Sequence, residues 1–356
     1  MSKGRDVSPG QGSRRSLKAA PLRTPLCDIL GCDVPILLAG MGGVARWELA
    51  AAVAEAGGYA MLGMVREDPA LIETEVKALR TATTRRFAVN VIPAATAPDL
   101  LDRQLGLCLD LGVTDFTFFW DVMPAVVERV KKRGALVLHQ IGTLEAARQA
   151  QDAGADVLIA QGVEAGGHVH GRTGTLALVE GIAGRQKLPV VASGGIATGA
   201  GLVAALALGA QGIQCGTAFL ATTESFAHDY HKRRVVAAAG ADTVLTDIFV
   251  LNWPAHAAVR VIGNSVTAKL DFDLLGHDPE TLPREVIGHE GKRPLYRYST
   301  DSPLRITTGD LEAMALFAGQ SAGAITDIVP AGERLRRIMA EAEACLGRLA
   351  PEEEKP

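Results

Sequence analysis

The residue best suited to chemistry is His168, in the glycine-rich segment 161–171 (QGVEAGGHVHG). This segment follows a predicted buried strand, and Gly166 and Gly167 let its backbone approach a flat ligand closely. Because an imidazole exchanges protons near neutral pH, we expect His168 to act as an acid or a base, with a purely structural histidine as the alternative. His168 and His170 could share a metal ion, but no cysteine or further histidine is close in sequence, so no metal site is predicted.

Two glycine-rich turns follow the next two predicted strands. One turn contains Ser193, Gly194 and Gly195, and the other contains Gly216 and Thr217. Glycines expose backbone N–H groups, a following helix favours an anion, and the threonine hydroxyl could add a donor. The glycines could serve only to turn the chain. Two such turns at successive strand ends nevertheless favour a phosphate site, and with it a phosphorylated cofactor or substrate.

Two amide side chains also fall at predicted strand ends. Asn90 closes the segment FAVN and Gln140 closes VLHQ, so both amides should point into one central cavity. The donor and acceptor of an amide match the polar edge of a uracil-like or flavin pyrimidine ring. A buried amide satisfied by the backbone is the alternative, and neither residue identifies the ligand by itself.

Eight short apolar runs alternate with longer helical patterns, which predicts eight βα units with parallel strands. The predicted strands are 36–39, 59–63, 87–91, 115–120, 135–139, 156–160, 189–192 and 212–215. They fit a closed (β/α)8 TIM barrel, which carries its chemistry on the loops after the strands. An open doubly wound α/β sheet is the alternative, because residues 40–45 (GMGGVA) match the dinucleotide pattern GxGxxA. That pattern requires an acidic residue at the end of the second strand, which ends here in Leu62-Gly63-Met64, so the barrel is favoured.

The βα rhythm stops near residue 222, which divides the chain into regions. Residues 1–24 are rich in Ser, Gly, Lys and Arg and are predicted to form a disordered basic tail. Residues 25–222 form the predicted barrel, and residues 223–309 a subdomain inserted after strand eight that caps the substrate pocket and excludes water. Helical patterns return in residues 310–350 and predict C-terminal helices that complete the barrel.

Composition excludes several classes of function. A net charge of −4 and only 4% aromatic residues argue against a nucleic-acid partner. No apolar run reaches the roughly 18 residues of a membrane span, so no membrane partner is expected. Five scattered cysteines without a CxxC motif predict free thiols and a cytoplasmic location.

The sequence GQSAG at 319–323 matches a nucleophile elbow, but the last histidine, His289, lies upstream of it, so an α/β hydrolase is not predicted.

Taken together and in order, the motifs LLAGMGG, FAVN, QGVEAGGHVHG, VVASGGIATG, QCGTAFLAT and AGQSAG resemble the nitronate monooxygenase family, formerly called 2-nitropropane dioxygenases. The resemblance covers roughly residues 25–345 and implies an FMN-dependent barrel in which His168 is the catalytic residue. The flavin contacts that it implies come from Ala39, Gly40, Met41, Asn90, Gln140, Ala160, Gln161, Gly166 and Gly167. The phosphate contacts that it implies come from Ser193, Gly194, Gly195, Gly216 and Thr217, with Gln214 beside them.

The same resemblance implies a reaction. Alkyl nitronates or nitroalkanes would be oxidised with O2 to carbonyl compounds and nitrite, with these small molecules as partners. FMN-dependent enoyl-acyl-carrier-protein reductases and NADH:quinone reductases share most of the motifs, so NAD(P)H-dependent reduction of an enoyl thioester or a quinone is the alternative. A non-catalytic flavin-binding barrel is a third. Residues 252–256 (NWPAH) depart from the family pattern, which leaves the substrate open, and a homodimer is one assembly that the sequence allows.

Overall fold

Eight parallel strands form a barrel in the computed structural model, which describes residues 22–255 and 257–350. The strands are β1 (Ile36–Leu38), β2 (Ala60–Gly63), β3 (Phe87–Val91), β4 (Asp115–Phe118), β5 (Leu136–Ile141), β6 (Val157–Gln161), β8 (Val190–Ser193) and β9 (Gly212–Cys215), with the two-residue strand β7 (Gly167–His168) between β6 and β8. Tyr59 links the first strand to the second, because its N–H donates to Ile36 O and its carbonyl accepts from Leu38 N–H, both at 2.9 Å. The predicted barrel is confirmed, and the open doubly wound alternative is wrong.

Helices precede, separate and follow the barrel strands. They are α1 (Pro25–Leu30), α2 (Trp47–Glu55), α3 (Pro69–Ala82), α4 (Pro98–Asp110), α5 (Pro124–Lys131), α6 (Leu144–Asp152), α7 (Thr175–Ala183), α8 (Gly199–Ala207), α9 (Thr217–Leu220), α10 (Asp229–Ala237) and α11 (Ala331–Leu349). Across the described ranges, none of these helices has the length and apolarity that crossing a bilayer requires.

Side chains alternate between the two faces of the strands, as the two-residue period of a strand requires. Leu37, Met61 and Ile159 point into the barrel and pack with Leu26 and Leu30 of α1, which fills the amino-terminal end. The residues between them point outward and pack against the helices. Because the core of the barrel is filled at that end, a ligand can enter only at the carboxyl ends of the strands.

The predicted basic tail lies mostly outside the described residues, which begin at Leu22. Its last two positions are held in place: Arg23 donates to Cys32 O at 2.9 Å, and Thr24 Oγ1 donates to Gln211 O at 2.5 Å. Arg23 and Thr24 of the predicted tail therefore contact the folded chain, and the boundary at residue 24 stays a prediction. All five cysteines are free thiols.

The region after β9 forms two small antiparallel sheets beside the barrel mouth. One contains β10 (Thr243–Thr246), β11 (Val259–Ile262) and β7. The other contains β12 (Val286–Glu290), β13 (Arg293–Tyr296) and β14 (Thr307–Gly309). Strand β11 pairs directly with the segment that carries His168, so the inserted region contacts the proposed catalytic loop. Its role as a separate capping subdomain over residues 223–309 stays a prediction.

Residues 310–330 do not form one of the predicted C-terminal helices. The structure shows only two 3₁₀ turns in this stretch, Leu311–Ala313 and Gln320–Ala324. Between them the backbone pairs with strand β11, because Ile262 N–H donates to Leu316 O at 2.8 Å and Phe317 forms a β-bridge with the same strand. The apolar residues that suggested a helix therefore pack as extended chain, and α11 is the one α-helix described between residues 310 and 350, where it packs beside α8 and α2.

Gly199 permits that closure. A Cβ at Gly199 would lie 2.0 Å from Ala342 N of α11, so Gly199→Ala should force α8 and α11 apart. We expect a loss of about 1–3 kcal/mol in unfolding free energy, typical of overpacking. Urea unfolding followed by circular dichroism measures it. Gly347→Ala in the same helix pair is the control: no atom lies within 4 Å of a Cβ there, and this variant should be neutral or slightly more stable. Equal stability of the two variants would contradict the packing.

Two buried histidines should make the fold sensitive to acid. Burial lowers the pKa of both His139 and His231 to about 4, from an ordinary value of 6.5. Between those two pH values the unfolded chain binds protons that the folded chain does not, so stability is complete above about pH 6.5 and declines towards pH 4. From pH 7 to pH 5 we expect a loss of about 2 kcal/mol for each histidine. His168, whose pKa burial lowers to about 3, should contribute a similar amount. His231→Gln should therefore remove about a third of the pH dependence in urea unfolding, whereas His289→Gln, at an exposed position, should leave it unchanged.

Candidate active site at the carboxyl ends of the barrel strands

A cavity of about 530 Å³ opens at the carboxyl ends of the barrel strands. This volume is suited to one cofactor-sized ligand and a small substrate. The predicted site residues that line it are Ala39, Gly40, Met41, Asn90, Gln140, Gln161, Gly166, Gly167, His168, Ser193, Gly194, Gly195, Gln214, Gly216 and Thr217. Ala160 is the exception. It follows Ile159 and precedes Gln161, which point inward, so its own side chain packs outward into the core between sheet and helices.

One end of the cavity is lined by backbone N–H groups. Those of Gly194, Gly195 and Gly216 donate to no other group in the described part of the chain. Gly194 and Gly195 have φ values of 106° and 69°, which favour glycine. Thr217 Oγ1 accepts from Gly319 N–H at 3.0 Å, so its own proton remains available to a ligand. Three unused N–H groups and a hydroxyl at one place are suited to an anion such as a phosphate group.

The wall of the cavity carries amide side chains, two of which have oxygens without a hydrogen-bond donor. Gln161 Nε2 donates to His168 O at 2.8 Å, and Asn90 Nδ2 donates to Thr117 O at 3.1 Å. The side-chain oxygens of Gln161 and Gln214 are buried and have no partner within the described residues. A buried polar atom without a partner is costly, so these oxygens are suited to N–H or O–H donors of a bound ligand. Together with the phosphate site, they fit a phosphorylated heterocyclic cofactor such as a flavin mononucleotide.

His168 lies on β7, where it pairs with Val259 of β11. Its ring stacks on Trp253 with a centroid distance of 3.6 Å and an interplanar angle of 16°, and Phe317 lies 5.6 Å away. Burial, assisted by the charge of Arg66, lowers the pKa of His168 to about 3. The imidazole is therefore neutral at physiological pH, and an anion beside it would raise its pKa and so favour proton transfer to it.

Several residues of the cavity were not predicted from the sequence. Trp253 and Asn252 belong to the segment 252–256 that departs from the family pattern, of which His256 lies outside the described residues. Arg66 follows β2 by three residues, so the rule that chemistry follows barrel strands could have found it. Phe119 could not be found in this way, because the predicted strand four extends to residue 120, whereas the strand ends at Phe118 and Phe119 follows it at the cavity.

Ser321 and His170 belong to two motifs that the sequence does not favour, a nucleophile elbow and a metal site. Ser321 lines the cavity from a 3₁₀ turn, not from the strand-to-helix turn that a nucleophile elbow requires. His170 points away to Asp121, with its Nε2 3.7 Å from the carboxylate. Over the ranges that the structure covers, no three His, Cys, Asp or Glu side chains are grouped as metal ligands would be.

Comparison with protein families places the chain among known enzymes. A family model described as nitronate monooxygenase matches residues 23–108 and 101–341. The chain is 31% identical to a nitronate monooxygenase of Paraburkholderia phytofirmans, over 91% of this chain and 96% of that protein. It is also 39% identical to an octahydroindene-carboxyl-CoA dehydrogenase of Mycobacterium tuberculosis, but over only 63% of each chain.

Solved structures agree with this placement. FabK of Thermotoga maritima superposes with a TM-score of 0.77 at 32% identity, over 92% of this chain and 98% of that one. Nitroalkane oxidase of Streptomyces ansochromogenes superposes with a TM-score of 0.74 at 32% identity, over 91% and 99%. Both likenesses extend over nearly the whole molecule, including the region after β9.

Proposed function

Because the chain belongs to the nitronate monooxygenase family and is a flavin oxidoreductase, we propose that it binds FMN in the cavity and oxidises alkyl nitronates with O2 to carbonyl compounds and nitrite. The observation that carries this proposal is the combination of the phosphate-binding turns and a neutral histidine in one enclosed cavity. The turns favour a phosphorylated cofactor, and the histidine favours a substrate with an acidic C–H or an anionic form.

Each part of FMN has residues that suit it. The N–H groups of Gly194, Gly195 and Gly216 would hold the phosphate, with Thr217 as an additional donor. The free amide oxygen of Gln161 would accept from the ring system. Bound FMN supplies an electron acceptor that the amino acids themselves lack.

The protein's own contribution to the reaction centres on His168. Its neutral imidazole can remove the α-proton of a nitroalkane, which produces the nitronate inside the cavity. The imidazolium that results would be stabilised by the negative charge of that nitronate. Trp253 fixes the plane of the ring and, with Phe317, keeps water away from it.

Oxygen consumption and product analysis test the proposed reaction. The purified yellow protein is mixed with ethylnitronate in air, and an oxygen electrode and a colorimetric nitrite assay follow the reaction. We expect enzyme-dependent oxygen uptake with nitrite and acetaldehyde formed in equal amounts. Absence of nitrite with every nitronate tried would contradict the proposal.

A second candidate is NAD(P)H-dependent reduction by the flavin, with a thioester or a quinone as the electron acceptor. The 39% identity to a carboxyl-CoA dehydrogenase and the likeness to FabK favour it. Against it, the nitronate monooxygenase model matches most of the chain, whereas the likeness to the carboxyl-CoA dehydrogenase covers only 63% of each chain. The non-catalytic barrel is not favoured, because the family to which the chain belongs consists of enzymes.

A further inference from the structure

Arg66 presents a guanidinium group to the cavity from the loop after β2. It lines the cavity and is half-buried, and its backbone has a φ of 58°. Its Cζ lies 4.7 Å from the centre of the Trp253 ring, and one N–H donates to Asn252 O. This cation–π contact and the backbone hydrogen bond hold the guanidinium in place but do not neutralise its charge.

The other charged groups around Arg66 are already paired with one another. Arg293 forms ion pairs with Glu290 and with Asp301, the latter at 2.9 Å. Glu67 accepts from Arg46 at 3.2 Å. Among the described residues, no carboxylate lies within 4.0 Å of the Arg66 guanidinium. A partly buried cation without a counter-ion favours an anion in the adjacent space.

Trp253 adds a second unused donor. Its side chain is only 7% exposed and lines the cavity, and its Nε1–H has no acceptor within the described residues. The same ring stacks on His168. A guanidinium, an indole N–H and a neutral imidazole therefore surround one side of the cavity, without a carboxylate close enough to the guanidinium to satisfy it.

We propose that Arg66 and the indole N–H of Trp253 form the subsite for the anionic group of the substrate, beside His168. The fork of N–H groups on an arginine matches two oxygen atoms on one planar centre, as in a nitronate or a carboxylate. Naming the nitronate as the natural ligand rests on the proposed function. The anion subsite itself does not, since it follows from the charges and donors of the chain.

Nitrate is a suitable probe, because it is a planar oxyanion that the enzyme cannot oxidise. Isothermal calorimetry on the flavin-loaded protein gives its dissociation constant. Arg66→Met keeps an unbranched side chain at the same backbone angle and should weaken nitrate binding by about 10- to 100-fold, the loss of one charge-assisted contact. Trp253→Phe keeps an aromatic ring and removes the N–H, and it should weaken binding by roughly 2- to 10-fold.

Control variants separate this role from folding and from net charge. Arg80→Met removes the same charge from an arginine that also packs over an aromatic ring, Phe87, but lies away from the cavity, and it should bind nitrate like the wild type. Arg66→Lys keeps the charge without the fork and should recover part of the affinity. Flavin content and the thermal midpoint of each variant show that it is folded.

Steady-state kinetics complete the test. In Arg66→Met, KM for ethylnitronate should rise about 10- to 100-fold, while KM for neutral nitroethane changes little. Unchanged nitrate affinity in Arg66→Met, or equal loss in Arg80→Met, would overturn the subsite. If nitrate binding depends on Arg66 but no nitronate is oxidised, the subsite stands and the proposed function fails.

Discussion

His168→Asn is expected to retain its flavin and to lose about 10²–10⁴-fold in turnover of neutral nitroalkanes, the usual contribution of a general base. Asparagine preserves a polar side chain of similar length but cannot accept a proton at physiological pH. The loss should be much smaller for a preformed nitronate, whose α-proton is already gone. Turnover with nitroethane and with ethylnitronate, each divided by flavin content, gives the comparison.

His170→Asn is the matched control for this experiment. His170 lies two residues away on the same loop and packs against Trp120 at 4.9 Å, but it does not line the cavity. It should keep most of the activity on both substrates. If His168→Asn turns over nitroethane as fast as the wild type, or if the two variants lose equal activity, His168 is not the base.

Gly194→Ala should release the flavin. With a φ of 106°, the position strains any other residue, and an added Cβ would lie 3.0 Å from Thr175 Oγ1 and 3.1 Å from Ala165 N. The turn must shift to relieve this crowding, which moves its N–H groups away from the phosphate. Backbone strain of this kind costs roughly 1–3 kcal/mol, so we expect FMN to bind about 10- to 100-fold more weakly. Fluorescence titration of the apoprotein with FMN measures the change.

Gly154→Ala separates local strain from loss of the binding site. Gly154 has a φ of 97° and no atom within 4 Å of an added Cβ, and it lies in the turn between α6 and β6. This variant carries a similar backbone strain and should lose stability while binding FMN normally. Equal FMN affinity in Gly194→Ala and the wild type would contradict the proposal that this turn binds the phosphate.

Most of the barrel could be predicted because its signals are local. Each βα unit is a short apolar run, a turn and an amphipathic helix, and the carboxyl ends of parallel strands meet by geometry alone. The parity of each strand also determines which side chains enter the cavity. That rule places Asn90 and Gln161 inside and, applied consistently, would have excluded Ala160, which alternates with Gln161.

The parts that could not be predicted depend on contacts between distant segments. Trp253 reaches His168, and Arg66 reaches Trp253, only because the inserted region folds back on the barrel mouth. Residues 310–330 have apolar spacing compatible with a helix, but their backbone pairs with β11, a strand about fifty residues earlier. Local periodicity carries no information about either contact.

Anaerobic reduction of the flavin tests the central claim most directly. The yellow protein is mixed without O2 with ethylnitronate and, in separate samples, with NADH and with NADPH, while the flavin absorbance is recorded. An enzyme that takes its electrons from a nitronate should be bleached rapidly by ethylnitronate and only slowly by either nucleotide. Rapid bleaching by a nucleotide, with none by ethylnitronate, would contradict nitronate oxidation and favour an NAD(P)H-dependent reductase.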